Sequence, residues 1–229
     1  MTNQRKKQAR VVEGDVMFVC DVPRSLADFL SLMSTERRLF GELALSDENA
    51  KRIFDFCPEF YSAIYDDTGA IIAYSSAFPL KPEHASDLIT GVMTEPDLEP
   101  NMLISAEGSI EKSKVYIGSV VVADRFDLFT RSILLSSLLS WRVTQMTQLA
   151  VSRLSVFMVT VSEEGDRMVH FVGAKKLNDG AERKDGKSVY GRTITPGFIA
   201  RASRSLERCA NGRLVEMRFE RCHKILAGA

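Results

Sequence analysis

The segment from Phe60 to Phe78, FYSAIYDDTGAIIAYSSAF, constrains the fold more than any other stretch. Two runs rich in aromatic and β-branched residues, Phe60–Tyr65 and Ala70–Phe78, flank Asp66-Asp67-Thr68-Gly69. Such residues suit the pleated surface of a strand. Gly69 supplies the left-handed conformation that a tight connection needs. The spacing predicts an antiparallel hairpin, with its second strand ended by Pro79 and Pro82.

On either side of the hairpin, strand and helix signals follow one another. Residues 15–20, DVMFVC, read as a short strand. Asp21 or Ser25 then caps a helix in which Leu26, Phe29, Leu30 and Met33, and later Leu39, Phe40 and Leu43, recur at helical spacing. A break is expected near Ser34-Thr35. Ser46-Asp47 opens a shorter helix over about 47–57. Val115–Asp124 predicts a strand. Arg131–Leu154 predicts a long helix with Ile133, Leu134, Leu138 and Trp141 on its apolar face. Leu154–Ser162 follows as a second buried strand, and Glu163–Val172 as a helix closed by Gly173. Gly186–Thr195 is a late strand broken by Pro196-Gly197. The tail reads as a short helix, an Asn211-Gly212 turn and a final strand. Between Lys81 and Lys114 no period dominates. Pro82, Pro96 and Pro100 punctuate it, with a short helix over His84–Met93 and a loop at TEPDLEPN. A stretch of this kind is commonly functional or mobile.

Equal numbers of basic and acidic residues, 30 of each, give no net charge. This excludes a dedicated polycationic nucleic-acid binder. The neutrality is segmental: residues 1–10 carry +4, residues 200–229 carry +4, and the body between carries −8. The chain therefore divides into a basic tail (1–10), a body (11–199) with 81–114 as an insertion, and a basic extension (200–229). The basic ends either remain solvated or dock on the body, on a second protomer or on an anionic ligand. With 229 residues, 45% of them hydrophobic, the body can bury a sizeable core. No apolar stretch approaches the roughly 18–20 residues of a membrane span, so no membrane partner is expected. The N-terminal MTNQRKKQAR has no apolar segment behind it and does not read as a secretory signal. The four cysteines lie far apart with no CxxC spacing, which favours reduced thiols and a cytoplasmic setting. Cys20 and Cys57 adjoin apolar runs and read as buried hydrophobes. Adjacent Cys222 and His223 do not make a metal site, and no metal is expected. P-loop and dinucleotide fingerprints are absent.

The order of elements resembles the GNAT (Gcn5-related N-acetyltransferase) fold over about residues 15–195. AIYDDTGAIIAYSSAF looks like the family's second and third strands. VYIGSVVVADRFDLFTRSILLSSLL looks like its fourth strand, pyrophosphate loop and following helix. VFMVTVSEEGDRMVHFVGAKKL looks like its fifth strand and the next helix, with Gly173-Ala174 in place of the family's Gly-Phe element. The resemblance implies an α+β fold layered α/β/α, with a mixed, mostly antiparallel sheet and a splayed parallel strand pair. It implies transfer of an acyl group from acetyl-CoA or another acyl-CoA to an amine, which is a small molecule or a peptide. The backbone of Val120, Val121 and Val122 would face the pantetheine arm. The loop Arg125–Ser132, including Arg125, Phe126, Arg131 and Ser132, would hold the phosphates.

The site residues depart from the family pattern. Asp127, Phe129 and Arg131 stand where the loop usually has small residues or glycine, and a Cβ there blocks close approach to a phosphate. Arg125 and Arg131 either compensate or simply flank the helix. The family's leaving-group tyrosine falls near Val169, and no glutamate lies on the central strand. The candidate catalytic groups are therefore His170, Tyr116, Asp124 and Tyr190. For His170 and Tyr190, packing alone is the competing reading. Two classes of function stay open. One is an acyl-CoA-dependent N-acyltransferase. The other is a catalytically degenerate GNAT-like binding or regulatory module, its cleft filled by Phe126 or Phe129. A homodimer, with the basic extension of one chain on the acidic body of another, is a further expectation.

Overall fold

The computed structural model describes residues 18–104, 113–123, 125–148, 153–198, 200–201 and 215–217. Its elements in chain order are β1 (Phe18–Asp21), α1 (Leu26–Phe40), α2 (Asp47–Phe56), β2 (Tyr61–Tyr65), β3 (Ile71–Leu80), α3 (Pro82–Thr90), β4 (Lys114–Val122), α4 (Leu128–Gln148), β5 (Leu154–Val159), α5 (Glu163–Phe171), β6 (Lys175–Asn178), β7 (Val189–Ile194) and β8 (Val215–Met217). The eight strands form one sheet in the order β6-β7-β5-β4-β3-β2-β1-β8. Its pairings are antiparallel except β4–β5 and β1–β8.

The hairpin forms as its sequence predicts. Gly69 has φ 83°, and Asp66 Oδ1 accepts from the Thr68 and Ala70 amides, at 3.1 and 2.9 Å. The second strand does not stop at Pro79, however. It runs to Leu80, with Pro79 opposite Val115. β2 pairs β3 only over Ile71–Ser76. Beyond it Leu103 bridges Leu80 and the Ile104 amide donates to the Pro79 carbonyl at 2.8 Å, a contact that uses the proline's carbonyl and asks no N–H of it. Pro82 instead opens α3 at its first turn, where its missing N–H costs nothing.

α1 is continuous where a break at Ser34-Thr35 was expected. The Ser25 hydroxyl caps it by accepting from the Asp28 amide. One stripe, Phe29, Leu32, Met33 and Glu36, is buried along it. That stripe passes straight through residues 34–35, and Thr35 Oγ1 donates to the Ser31 carbonyl within the helix. α4 starts at Leu128, three residues before the expected Arg131. The sequence pattern did not foresee β6, a short strand with exposed Lys175, Lys176 and Leu177 on the sheet edge. Pro196 and Gly197, expected only to break β7, open a helical turn.

The two faces of the sheet carry separate cores. On one face, α1, α2 and α3 pack against Tyr61, Tyr74, Phe78, Tyr116, Val121 and Phe157. On the other, Leu134, Leu138 and Trp141 of α4 pack against Cys20, Ile64 and Ile72. A buried arginine ties α4 to the sheet. Arg142 Nη2 donates to the Phe60 and Ser75 carbonyls, both at 2.7 Å, and Nε donates to Ser75 Oγ at 3.0 Å. Among the described residues, no helix is long and apolar enough to cross a membrane.

Candidate functional site

The central parallel pair opens partway along its length. β4 and β5 pair from Lys114–Ser155 to Ile117–Met158 and no further. From Gly118 to Val122, β4 keeps its partner β3 on one side, while the side toward β5 carries no ladder. A bulge marks the point of divergence. Ala77 pairs with Ile117 and Ser75 with Val120, so Gly118 and Ser119 together oppose Ser76. The Ser119 amide donates to Ser76 Oγ at 2.8 Å. The extra residue shifts the alternation, so Tyr116, Ser119 and Val121 all face the α1–α3 layer.

Two buried carboxyl groups meet this bulge, and neither was foreseen as functional. Glu36 comes from the apolar stripe of α1 and is 1% exposed. Ser119 Oγ donates to its Oε1 at 2.7 Å, and the Tyr74 hydroxyl to its Oε2 at 3.1 Å. Glu95 comes from the segment between α3 and β4, at the start of a single helical turn, Glu95–Asp97. That turn is fixed by Asp97, whose Oδ2 accepts from the Thr94 amide and hydroxyl. It is also tied to α2, since Asn49 Nδ2 donates to the Pro96 carbonyl at 3.3 Å. The Tyr116 hydroxyl donates to Glu95 Oε2 at 2.5 Å. Glu95 Oε1 is sealed from solvent and has no hydrogen-bond partner among the described residues. It points at Gly118, where a Cβ would lie 2.9 Å from it.

The electrostatics follow from burial. Glu36 is pushed above the usual carboxylate range by loss of water, and its bonds from Ser119 and Tyr74 work against that. Glu95 rises to about 8, first through burial and then through the negative charge of Glu36, with the Tyr116 bond opposing. Near neutral pH the pair therefore carries fewer than two negative charges. Tyr61, its hydroxyl buried and unpartnered among the described residues, feels both carboxylates and is raised well above the ordinary value, chiefly by burial. Buried polar atoms left open in this way mark a place where another polar atom belongs.

Glu95, Tyr116, Gly118 and Ser119 line a cavity of about 30 Å³ between the diverging strands, walled by Phe40, Val159 and Val161. Beside it, a larger groove of about 340 Å³ runs between α1 and the ends of β3 and β4. Leu39 and Phe40, consecutive on α1, line the groove and the cavity respectively.

The expected site residues are distributed as follows. Tyr116 lies in the cavity, with Ser119 beside it. Tyr190 and His170 meet each other, ring centroids 5.5 Å apart, but on the opposite face. Tyr190 pairs with Met158 and thence with Ile117, which faces away from Tyr116. Asp124 lies outside the described residues. Val121 faces the α1 layer, while Val120 and Val122 pack toward α4. Phe126 turns into the α4-side core against Phe18, at 6.1 Å, and Phe129 is 67% exposed. Neither fills the gap between β4 and β5, contrary to the expectation of a blocked cleft.

The loop before α4 is organised by its own acid. Asp127 Oδ1 accepts from the Phe129 and Thr130 amides, both at 2.9 Å, and Oδ2 accepts from Thr130 Oγ1 at 3.0 Å. These bonds hold the Asp127 carboxyl below the usual range. The helix N-terminus, where an anion would otherwise be drawn, is thus occupied by the chain's own carboxylate. Arg125 pairs with Asp66 at 2.8 Å, and Ser132 Oγ donates to the Leu128 carbonyl of its own helix. Arg131 makes no side-chain hydrogen bond or ion pair among the described residues. Those residues also hold no cluster of His, Cys, Asp and Glu able to bind a metal ion.

No family model matches the chain, and no curated protein matches it in sequence. Solved structures do match it in shape. Ard1 from Thermoplasma volcanium superposes with a TM-score of 0.52 at 12% identity, covering 79% of this chain and 98% of that one. The loading GNATL domain of CurA from Lyngbya majuscula gives 0.53 at 16% identity, over 76% and 96%. A mosquito arylalkylamine N-acetyltransferase like 5b gives 0.51 at 13% identity, over 77% and 100%. At these identities the likeness is one of architecture. The chain adopts the GNAT acetyltransferase fold.

Proposed function

We propose that this GNAT-fold chain is an acyl-CoA-dependent N-acyltransferase, moving an acetyl or longer acyl group to the amine of a small molecule or peptide. One observation carries the reading. The parallel strands part at a bulge, and a buried carboxyl with an open oxygen, Glu95, stands at that point beside Tyr116. Coenzyme A supplies the acyl group as an activated thioester. The free edge of β4 from Gly118 to Val122 offers unpaired backbone groups to the amides of a pantetheine arm. An amine is attacked by nothing and attacks nothing while protonated. Glu95 Oε1 takes that proton, and a carboxyl raised to about 8 is well matched to this task. The amine nitrogen then bonds to the acyl carbon as the carbon–sulfur bond breaks. The Tyr116 hydroxyl passes its proton to the departing sulfur and regains one from Glu95 across their hydrogen bond. Glu95, again a carboxylate, takes the second proton that the nitrogen sheds as the amide forms. Glu36 holds Ser119, and so the bulge, in place.

The test is amine-dependent release of free thiol from acetyl-CoA across a panel of small amines and peptides. The reading expects turnover that rises with pH toward about 8 and falls by about 10² or more in Glu95→Gln. Equal turnover in wild type and variant would remove Glu95 from this role. A second reading, a silent binding module on the same fold, is favoured by the Asp127 cap on α4. Turnover with any amine refutes it.

A further inference from the structure

Most of the groove beside α1 lies away from the chemistry just described. One wall is a flank of α1 at helical spacing, Ser31, Thr35 and Arg38. The other is the start of β3 and the end of β4, reaching Ala123 and Arg125. The floor is apolar, with Leu32, Ile71 and Val121. The rim is cationic. Arg38 is exposed and makes no hydrogen bond or ion pair among the described residues, whereas its neighbour Arg37 is bound to Asp47. Arg125 is 58% exposed and half-committed to Asp66. An apolar trough ending in guanidinium groups suits a long, weakly polar arm with a phosphate at its end, because the planar donors bond phosphate oxygens in pairs.

The neighbouring helix N-terminus does not compete for that phosphate. Its amides at Phe129 and Thr130 are already bonded to Asp127, whose negative charge repels a second anion. Resting on the acyl-CoA reading, we infer that the phosphate end of coenzyme A is held by Arg38, with Arg125, in the groove between α1 and the β3–β4 ends, and not on the N-terminus of α4. The pantetheine arm then follows β4 from Ala123 to the bulge at Gly118, five residues or about 17 Å of strand. Val121, on the same face as Ser119, lies along that path.

Isothermal titration of the full chain with coenzyme A, and with pantetheine that lacks every phosphate, tests this. Wild type binds coenzyme A at least tenfold more tightly than pantetheine. Arg38→Ala weakens coenzyme A about tenfold, as expected for loss of a charge-assisted bond, and leaves pantetheine unchanged. Arg131→Ala, beside the helix N-terminus, changes neither by more than about twofold. The inference is overturned if Arg38→Ala leaves coenzyme A binding intact, or if the tenfold loss appears in Arg131→Ala instead. Wild type that binds neither ligand overturns the acyl-CoA reading, and this inference with it. Arg38 is exposed, so its removal leaves folding unchanged, which a thermal melt checks.

Discussion

Replacing Glu95 by glutamine separates what the carboxyl costs the fold from what it does. The substitution keeps the side chain's length, and its carbonyl can still accept the Tyr116 hydroxyl. In the unfolded chain Glu95 gives up its proton near the ordinary 4.5, but in the folded chain only near about 8. Between those values the folded state binds more protons than the unfolded one. Stability therefore falls as pH rises from about 4.5 to about 8, by up to about 1.4 kcal/mol per pH unit, and then levels off. At pH 7 the cost of the buried carboxyl comes to about 3 kcal/mol on this reckoning. Glutamine bears none of it. The unfolding free energy of Glu95→Gln should thus gain on wild type by about 3 kcal/mol between about pH 4.5 and pH 7, apart from a constant offset for the amide's donor. Urea denaturation followed by fluorescence of the buried Trp141 measures the difference across this range. A difference that stays flat over the range would refute the reasoning.

Three other substitutions probe the architecture. Gly118→Ala places a Cβ 2.7 Å from Ser76 Oγ and 2.9 Å from Glu95 Oε1. It should cost about 1–3 kcal/mol in denaturant melts and lower turnover; a neutral outcome would mean the bulge is loose. Arg142→Ala strips the buried donors from the Glu59, Phe60 and Ser75 carbonyls. A loss of at least about 3 kcal/mol is expected, and one below about 1 kcal/mol would contradict the view of this arginine as a tie between α4 and the sheet. Ending the chain after Arg201 removes β8 and bares the edge of β1. Size-exclusion chromatography should then show concentration-dependent association beyond that of the full chain, whereas a profile unchanged from the full chain's would argue that β8 does not protect that edge.

The elements legible in the sequence are those whose signal is local. The Asp66–Gly69 turn, the Ser25 and Ser46 caps and the strand expected over Val115–Asp124 all depend on near neighbours, and each appears where its pattern places it, the strand running from Lys114 and ending at Val122. The order of these elements sufficed to point to the GNAT fold. The carboxyl pair was missed for two separate reasons. Glu36 falls in the stripe of Phe29, Leu32 and Met33 only if α1 is read straight through Ser34-Thr35, and the expected break removed it. The available clue was a glutamate at a core position of an amphipathic helix. Glu95 carried no local signal, since it sits in a Pro-punctuated segment and meets its partner Tyr116 only by folding back, 21 residues along the chain. Tyr190 and Tyr116 looked alike in sequence, yet strand register sends them to opposite faces, which no single strand reveals. Asp127 was legible as a misplaced negative charge in the loop, but not as the cap of α4.

The most direct test is the rate of amine-dependent thiol release from acetyl-CoA, measured against pH in wild type and Glu95→Gln. The account predicts a rate that climbs with pH with its midpoint at about 8, where Glu95 loses its proton, and levels off above it, and a variant that is folded but slower by about 10² or more. Thiol release that is independent of added amine, or a variant as fast as wild type with the same pH profile, would contradict it.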